Sequence, residues 1–259
     1  MTMASAAVNF VKGFWFPFTS FTYVRRHPSL YPFIVVPFLI NVATFCLVIY
    51  FGFDFYRDLV LSRLPHGEAW YWLILNYLLL LLAIVVVLVL VFFTFAAVGS
   101  LLASPFNDVL SERTELLICG KASEDSFSLG SLLRDARLAM VNEVKKIALF
   151  LAGMVALLLL HLLPVLGSML YPMLSVAWTS FFLVIEYTGY VFVRKKFAFA
   201  AQRQIIFRHL PLMAGFGLGL FCILTIPFLQ FFCIPLGVVG AVRLLADANE
   251  LGGAGDLVT

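Results

Sequence analysis

The stretch YVRRHPSLYP sets Arg25 and Arg26 a few residues ahead of Ser29 and Leu30, where a long apolar helix is due to begin. Two guanidinium groups supply charge-assisted hydrogen bonds to a tetrahedral oxyanion. A helix capped by Ser29 and starting near Leu30 adds free backbone amides and its positive dipole end. Residue type and spacing therefore allow capture of a small anion. The plainer alternative is that both arginines snorkel to lipid headgroups and orient the chain. Two further ionisable side chains lie in or against apolar runs. His161 would line a permeation path, or bond a turn carbonyl freed near Pro164. Glu186 would relay protons near a helix end, or pair with Arg194 or a neighbouring base.

Other chemistry finds no residues to carry it. There is no H-E-x-x-H, no G-x-S-x-G and no pair of intramembrane carboxylates, so no enzyme is expected. Cys46, Cys119, Cys222 and Cys233 form no C-x-x-C pair. Three of them lie in apolar runs, where cysteine acts as a small hydrophobe, and neither a metal nor another cofactor is expected. GFGLG at 215–219 has the small-residue spacing of close helix packing. No strand precedes it, so it is no nucleotide motif.

The elements that must position these groups follow from composition. Of 259 residues, 63% are hydrophobic and 12% charged, and the mean hydropathy is +1.05. A soluble domain carries about twice that charged fraction. Uncharged runs of about 18 residues or more mark membrane helices, so the chain reads as a single all-α integral membrane domain over 1–259. The first twenty residues lack a basic n-region before an apolar core, and no cleavable signal is expected. Phe10, Phe14, Trp15, Phe16 and Phe18 suit the membrane–water boundary, which makes 1–32 an interfacial segment. The net charge of +3 sits in loops, fitting anionic lipid rather than nucleic acid.

Transmembrane helices are expected over 33–53 and 70–103. The second would be about 51 Å long against a hydrocarbon core of about 30 Å. Its surplus length calls for strong tilt, or for partner helices or subunits. Ser104 can cap a new helix with Pro105 at its first position. Phe106, Val109, Leu110 and Leu117 share a face of that helix, and Gly120 fits its stop. Leu133, Ala136, Met140, Val144 and Ile147 form a second stripe, so 105–146 reads as cytoplasmic amphipathic helices on the membrane surface.

Two hairpins follow, over 147–190 and 210–246, before a flexible tail at 247–259. Pro164 and Pro172 bound the first tip as Pro227 and Pro235 bound the second, with Leu166 matching Leu229. Each arm before its tip has about 16 residues, roughly 24 Å of helix. Such hairpins either dip into the bilayer and return, or cross it with tight apolar loops; the arithmetic does not choose. Lys and Arg concentrate in 1–32, 108–146 and 187–209, which puts both termini in the cytoplasm.

The stretches ASPFNDVLSERTELLICG, LPVLGSMLYPMLSVAW and IPFLQFFCIPLGVVGAVRLLAD resemble the CysZ-type sulfate permease family, grouped with the etoposide-induced membrane proteins. The A-x-P-F pattern with its acidic helix falls here on Pro105, Phe106, Asn107 and Glu112, and FVKGF and PFLIN extend the likeness over nearly the whole chain. The resemblance implies two long transmembrane helices plus two hairpins that penetrate partway, and homo-oligomers. It implies sulfate, or a related oxyanion, moving across a bacterial inner membrane for assimilation and cysteine synthesis. One departure stands out. Relatives carry Gly-Leu-Arg, often with a second Arg, where this chain has Ser29, Leu30, Tyr31 and Pro32. Arg25 and Arg26 lie six residues upstream. Gly189 and Val191 likewise replace an acidic residue and a proline, so the chain reads as a divergent branch. The missing arginines leave a rival reading open, a non-transporting membrane scaffold or membrane-shaping protein.

Overall fold

The computed structural model describes residues 3–59, 70–120, 129–160, 162–163, 166–227 and 229–251. Among them are eight α-helices and no strand: α1 Met3–Arg26, α2 Tyr31–Leu59, α3 Trp70–Cys119, α4 Leu129–Leu160, α5 Leu166–Arg194, α6 Phe199–Arg208, α7 Leu210–Thr225 and α8 Cys233–Asp247. Pro28–Leu47 and Gly167–Arg194 are long and apolar enough to cross a membrane, and α6 with α7 forms a further apolar pair bent by 99°. The protein is an all-α membrane protein.

The chain divides into two compact units. Pro32–Phe106 holds most of α2 and the first part of α3, including the apolar segment Ile74–Val86. Residues 1–31 and 107–259 form the other unit, and every candidate polar group described below lies there.

Several boundaries differ from expectation, and prolines account for most of them. Pro105 lies inside α3, which runs unbroken for 50 residues, so no helix restarts at Ser104. At 1.5 Å per residue α3 is about 75 Å long, longer than the expected 51 Å. Pro172 lies inside α5 rather than bounding the first tip, which falls instead between Leu160 and Leu166. Proline costs a helix a hydrogen bond. An apolar surrounding offers the freed groups nothing better than a continued helix, and membrane helices tolerate it. Pro235, by contrast, is the third residue of α8, in a first turn that needs no such hydrogen bond. The expected stop at Gly120 holds, with φ +70° and its amide on the Leu116 carbonyl.

The core of the larger unit is α7 held between α1 and α5. Glycine makes this possible on both sides. A Cβ on Gly215 or Gly219 would fall on the α1 carbonyls of Phe10 or Phe14, and one on Gly217 would fall on the α5 carbonyl of Ser180. Gly13 meets the Leu212 carbonyl in the same way. GFGLG is thus the packing motif its spacing announced. Phe216, Leu220 and Ile223 fill the space between, with no exposed surface.

Beyond Asp247 the chain is not loose at once. Asn249 takes φ 58°, and the amides of Ala248, Asn249 and Glu250 close on Leu244, Ala246 and Leu245. That is a Schellman-type end with asparagine in the left-handed position. The first residues of the expected flexible tail, 247–259, are therefore part of the fold, with Glu250 anchored in it, and residues 252–259 lie outside the described residues.

Candidate functional site

The corner between α1 and α2 carries the first candidate residues. Arg25 and Arg26 end α1 and are exposed, Arg25 lying 6.0 Å over the Phe21 ring. A 3-10 turn, Pro28–Leu30, then leads directly into α2. Ser29 sits exposed inside this turn, not at a helix cap. Leu30 is completely buried. Its amide bonds the His27 carbonyl at 3.0 Å, and the Tyr31 amide turns to Pro28. These two amides are spent within the turn, so the free amides expected near Leu30 are not available to an anion. The Tyr31 hydroxyl donates to the Arg25 carbonyl at 3.4 Å, tying the corner together.

A second group of polar residues is buried between α3, α4 and α5. Glu115 accepts from Arg194, and its other oxygen lies 2.7 Å from Lys195 Nζ. Arg194 also reaches the Ser111 hydroxyl at 3.4 Å. Only 6% of the Glu115 and Lys195 side chains is exposed, so this is an interior ion cluster and not a headgroup contact. Asp108 stands on the same helix end. Although Asp108 is exposed, partial desolvation raises its carboxyl above the ordinary value, and the Arg194 guanidinium partly offsets that. Glu186 pairs with Lys146 at 2.7 Å, so a neighbouring base and not Arg194 is its partner. Burial pulls Lys146 down, but Glu186 and Glu143 outweigh it and the ammonium is raised overall.

Hydrogen bonds extend the cluster. Asn142 of α4 donates to the Phe197 carbonyl at 3.0 Å and accepts from the Phe199 amide at 3.1 Å, serving the first turn of α6 from outside. Gln202 of α6 donates to Ile185 and Thr188 of α5. His161 lies outside the described residues.

The family described as sulfate transporter CysZ/etoposide-induced protein 2.4 matches residues 16–235. A sulfate transporter CysZ of Pectobacterium atrosepticum is 30% identical over 221 residues, covering 85% of this chain and 79% of the relative. Proteins of the same name from Vibrio parahaemolyticus and Salmonella typhimurium are each 28% identical, covering 84% and 85% of this chain and 87% and 86% of theirs. The chain belongs to this family.

The CysZ-type pattern residues fall in the last third of α3. Pro105 is exposed and Phe106 half-buried, while Asn107 is buried and donates to the Tyr190 hydroxyl at 3.3 Å. Glu112 is half-buried, and the buried carboxylate is Glu115, one turn on. Spacing gives a signal for it only in hindsight: Asn107, Ser111, Thr114 and Glu115 recur at helical intervals and are all buried. The C-terminal residues complete the unit. Glu250 accepts from His209 Nε2 at 2.9 Å and Arg208 at 3.2 Å, and Lys195 donates to the Leu251 carbonyl. Neither Glu250 nor Asn142 was flagged by local pattern, because their partners lie 41 and 55 or more residues away.

Proposed function

We propose that the chain is a sulfate permease, or one for a related oxyanion, in a bacterial inner membrane, supplying assimilation and cysteine synthesis. The observation that carries this is the likeness to relatives named sulfate transporters over more than four-fifths of the chain. The larger unit supports it, burying the ionised Glu115 and Lys195 among its helices while large apolar side chains stand exposed. Arg25 and Arg26, with the exposed Ser29 beside them, form the anion entry, while buried Leu30 and the Tyr31 hydroxyl hold the corner that carries them. Both termini lie in the cytoplasm, and the protein works as a homo-oligomer among membrane lipids. Glu186 and His161 are the two groups open to a relay or permeation role; the ion pair of Glu186 with Lys146 favours positioning for the first.

Passage is channel-like. Bringing a dianion into a compartment 100 mV negative costs about 4.6 kcal/mol. At equilibrium that holds internal sulfate more than about a thousandfold below external, so consumption inside must draw the flux. Proteoliposomes test the reading, comparing native protein with an Arg25→Ala/Arg26→Ala variant. Sulfate flux above empty vesicles, reduced in the variant, is the expected result. No flux from folded native protein would instead favour a membrane scaffold, which the arginines absent in register would suit.

A further inference from the structure

Arg243 is the first charged residue after the uncharged run of α7 and α8, and no carboxylate pairs with it among the described residues. Its Nη1 donates to the hydroxyls of Thr19 at 3.1 Å and Ser20 at 3.2 Å. Both hydroxyls in turn donate to the Phe16 carbonyl, at 3.1 and 2.7 Å. Their direction is therefore fixed, and they meet the arginine as neutral acceptors that leave its charge in place. The guanidinium carbon lies 5.6 Å over the Phe16 ring and 5.0 Å over that of Tyr23. Asp247, one turn along α8, is held by Lys12 at 2.7 Å.

Arginine carries five N–H donors in a rigid fork. Two are used by Thr19 and Ser20, which leaves the Nε and Nη2 edge. That edge is the one that grips two oxygens of an oxyanion side by side. The residue is half-buried, and neither nitrogen is enclosed without a partner. Two hydroxyls and two ring faces hold the fork in one orientation before any anion arrives. His27, just past the end of α1, stacks on Tyr23 at 4.2 Å between centroids.

We propose that the Arg243 fork, fixed by Thr19, Ser20, Phe16 and Tyr23, is a binding site for a tetrahedral oxyanion, additional to the tandem arginines at the end of α1. It deepens the permease reading and rests on it only for the choice of sulfate as probe. The anion it takes is either free sulfate or the phosphodiester of a lipid headgroup, which present the same oxygen pair.

The test uses the full chain in nanodiscs of phosphatidylcholine, with and without phosphatidylglycerol, as native protein, Arg243→Gln and Arg243→Lys. Sulfate binding is read by titration calorimetry, retained phosphatidylglycerol by mass analysis, and folding by melting temperature. Sulfate affinity is expected to fall roughly ten- to hundredfold in Arg243→Gln, the loss of a charge-assisted bidentate contact. Arg243→Lys keeps the charge without the fork and should recover only part of it. If sulfate does not bind native protein but phosphatidylglycerol is retained by native and lost from Arg243→Gln, the oxyanion site stands with lipid as its source. Sulfate affinity within twofold of native in folded Arg243→Gln overturns the proposal, as does the absence of both bound sulfate and Arg243-dependent lipid. Should Arg243→Gln fail to fold, Arg243→Lys decides by the same twofold criterion. Sulfate flux by native protein is measured alongside: its absence sinks the permease reading, whereas flux with Arg243-independent binding sinks this site alone.

Discussion

The hairpins α4–α5 and α7–α8 both have uncharged stretches on either side of their tips, yet they are built for different surroundings. In α7 and α8 the apolar side chains are inside: Phe216, Leu220, Val238, Val239 and Leu244 have no exposed surface. Beside the first tip the side chains stand out, Leu162 at 75%, Met169 at 70% and Met173 at 73% exposed, further than Ile226 at 45% or Phe232 at 47% beside the second. Composition does not separate the two. Glycine does: α7 presents Gly215, Gly217 and Gly219 to helices on two sides, and α8 presents Gly237 to Tyr187 and Gly240 to Phe216. Where small residues recur, backbones meet and the apolar side chains become core; where they do not, the same hydrophobicity faces lipid.

The contrast can be broken most forcefully at the root of the first hairpin, where polar groups replace glycine as the fastening. Glu115→Ala leaves Arg194 and Lys195 buried with their shared carboxylate gone. A loss of about 3–5 kcal/mol is expected, read as a fall in the unfolding midpoint in detergent; a drop no larger than that of a surface variant would show the cluster to be dispensable. Next comes Gly215→Val in the second hairpin, which pushes a branched side chain into the α1 backbone. It should cost about 1–3 kcal/mol, whereas Met173→Ala on the exposed arm of the first hairpin stays within about 0.5 kcal/mol. Equal effects from these two would erase the distinction.

Smaller and more selective are the pH effects at the root. The raised Lys146 ammonium contributes stability that is complete below the ordinary lysine value of 10.5 and is lost as pH climbs through its higher folded value. Lys146→Met should remove that alkaline loss from the melting curve. Asp108 acts at the acid end. Its raised carboxyl favours the neutral form in the fold, so its contribution falls as pH rises from 3.8 toward the raised value, and Asp108→Asn should flatten that slope. Unchanged profiles in both variants would mean that neither group feels the interior charges described above.

Much of this was legible in sequence, for reasons that are local. The all-helical membrane class follows from uncharged runs, Gly120 from its stop position, and GFGLG from its spacing. The stripe of Met140, Val144 and Ile147 is indeed exposed, at 69%, 61% and 48%. What it hides is that the opposite face of α4 buries Asn142, so the helix has its polarity turned inward. Pro172 lies within the apolar span Gly167–Arg194, where no solvent competes for the freed backbone groups, and Pro105 is likewise carried inside α3. The ion cluster escaped for another reason: Glu115 and Arg194 are 79 residues apart, and helical periodicity carries no word about partners at that range. The tandem arginines are exposed, but the helix start expected to serve an anion beside them has its amides already engaged at Leu30 and Tyr31.

The seating of α1 against α7 also sets a timetable for biogenesis. Gly13 and Gly215 lie in the same helix crossing but about 200 residues apart along the chain. At about 5–20 residues per second of synthesis, the glycine face of α1 waits roughly 10–40 s for the helix that covers it. Throughout that interval Gly13 and its neighbours can be held only by lipid, by the insertion machinery or by a premature contact. The seating of α1 is thus committed only once α7, made about 200 residues later, has emerged.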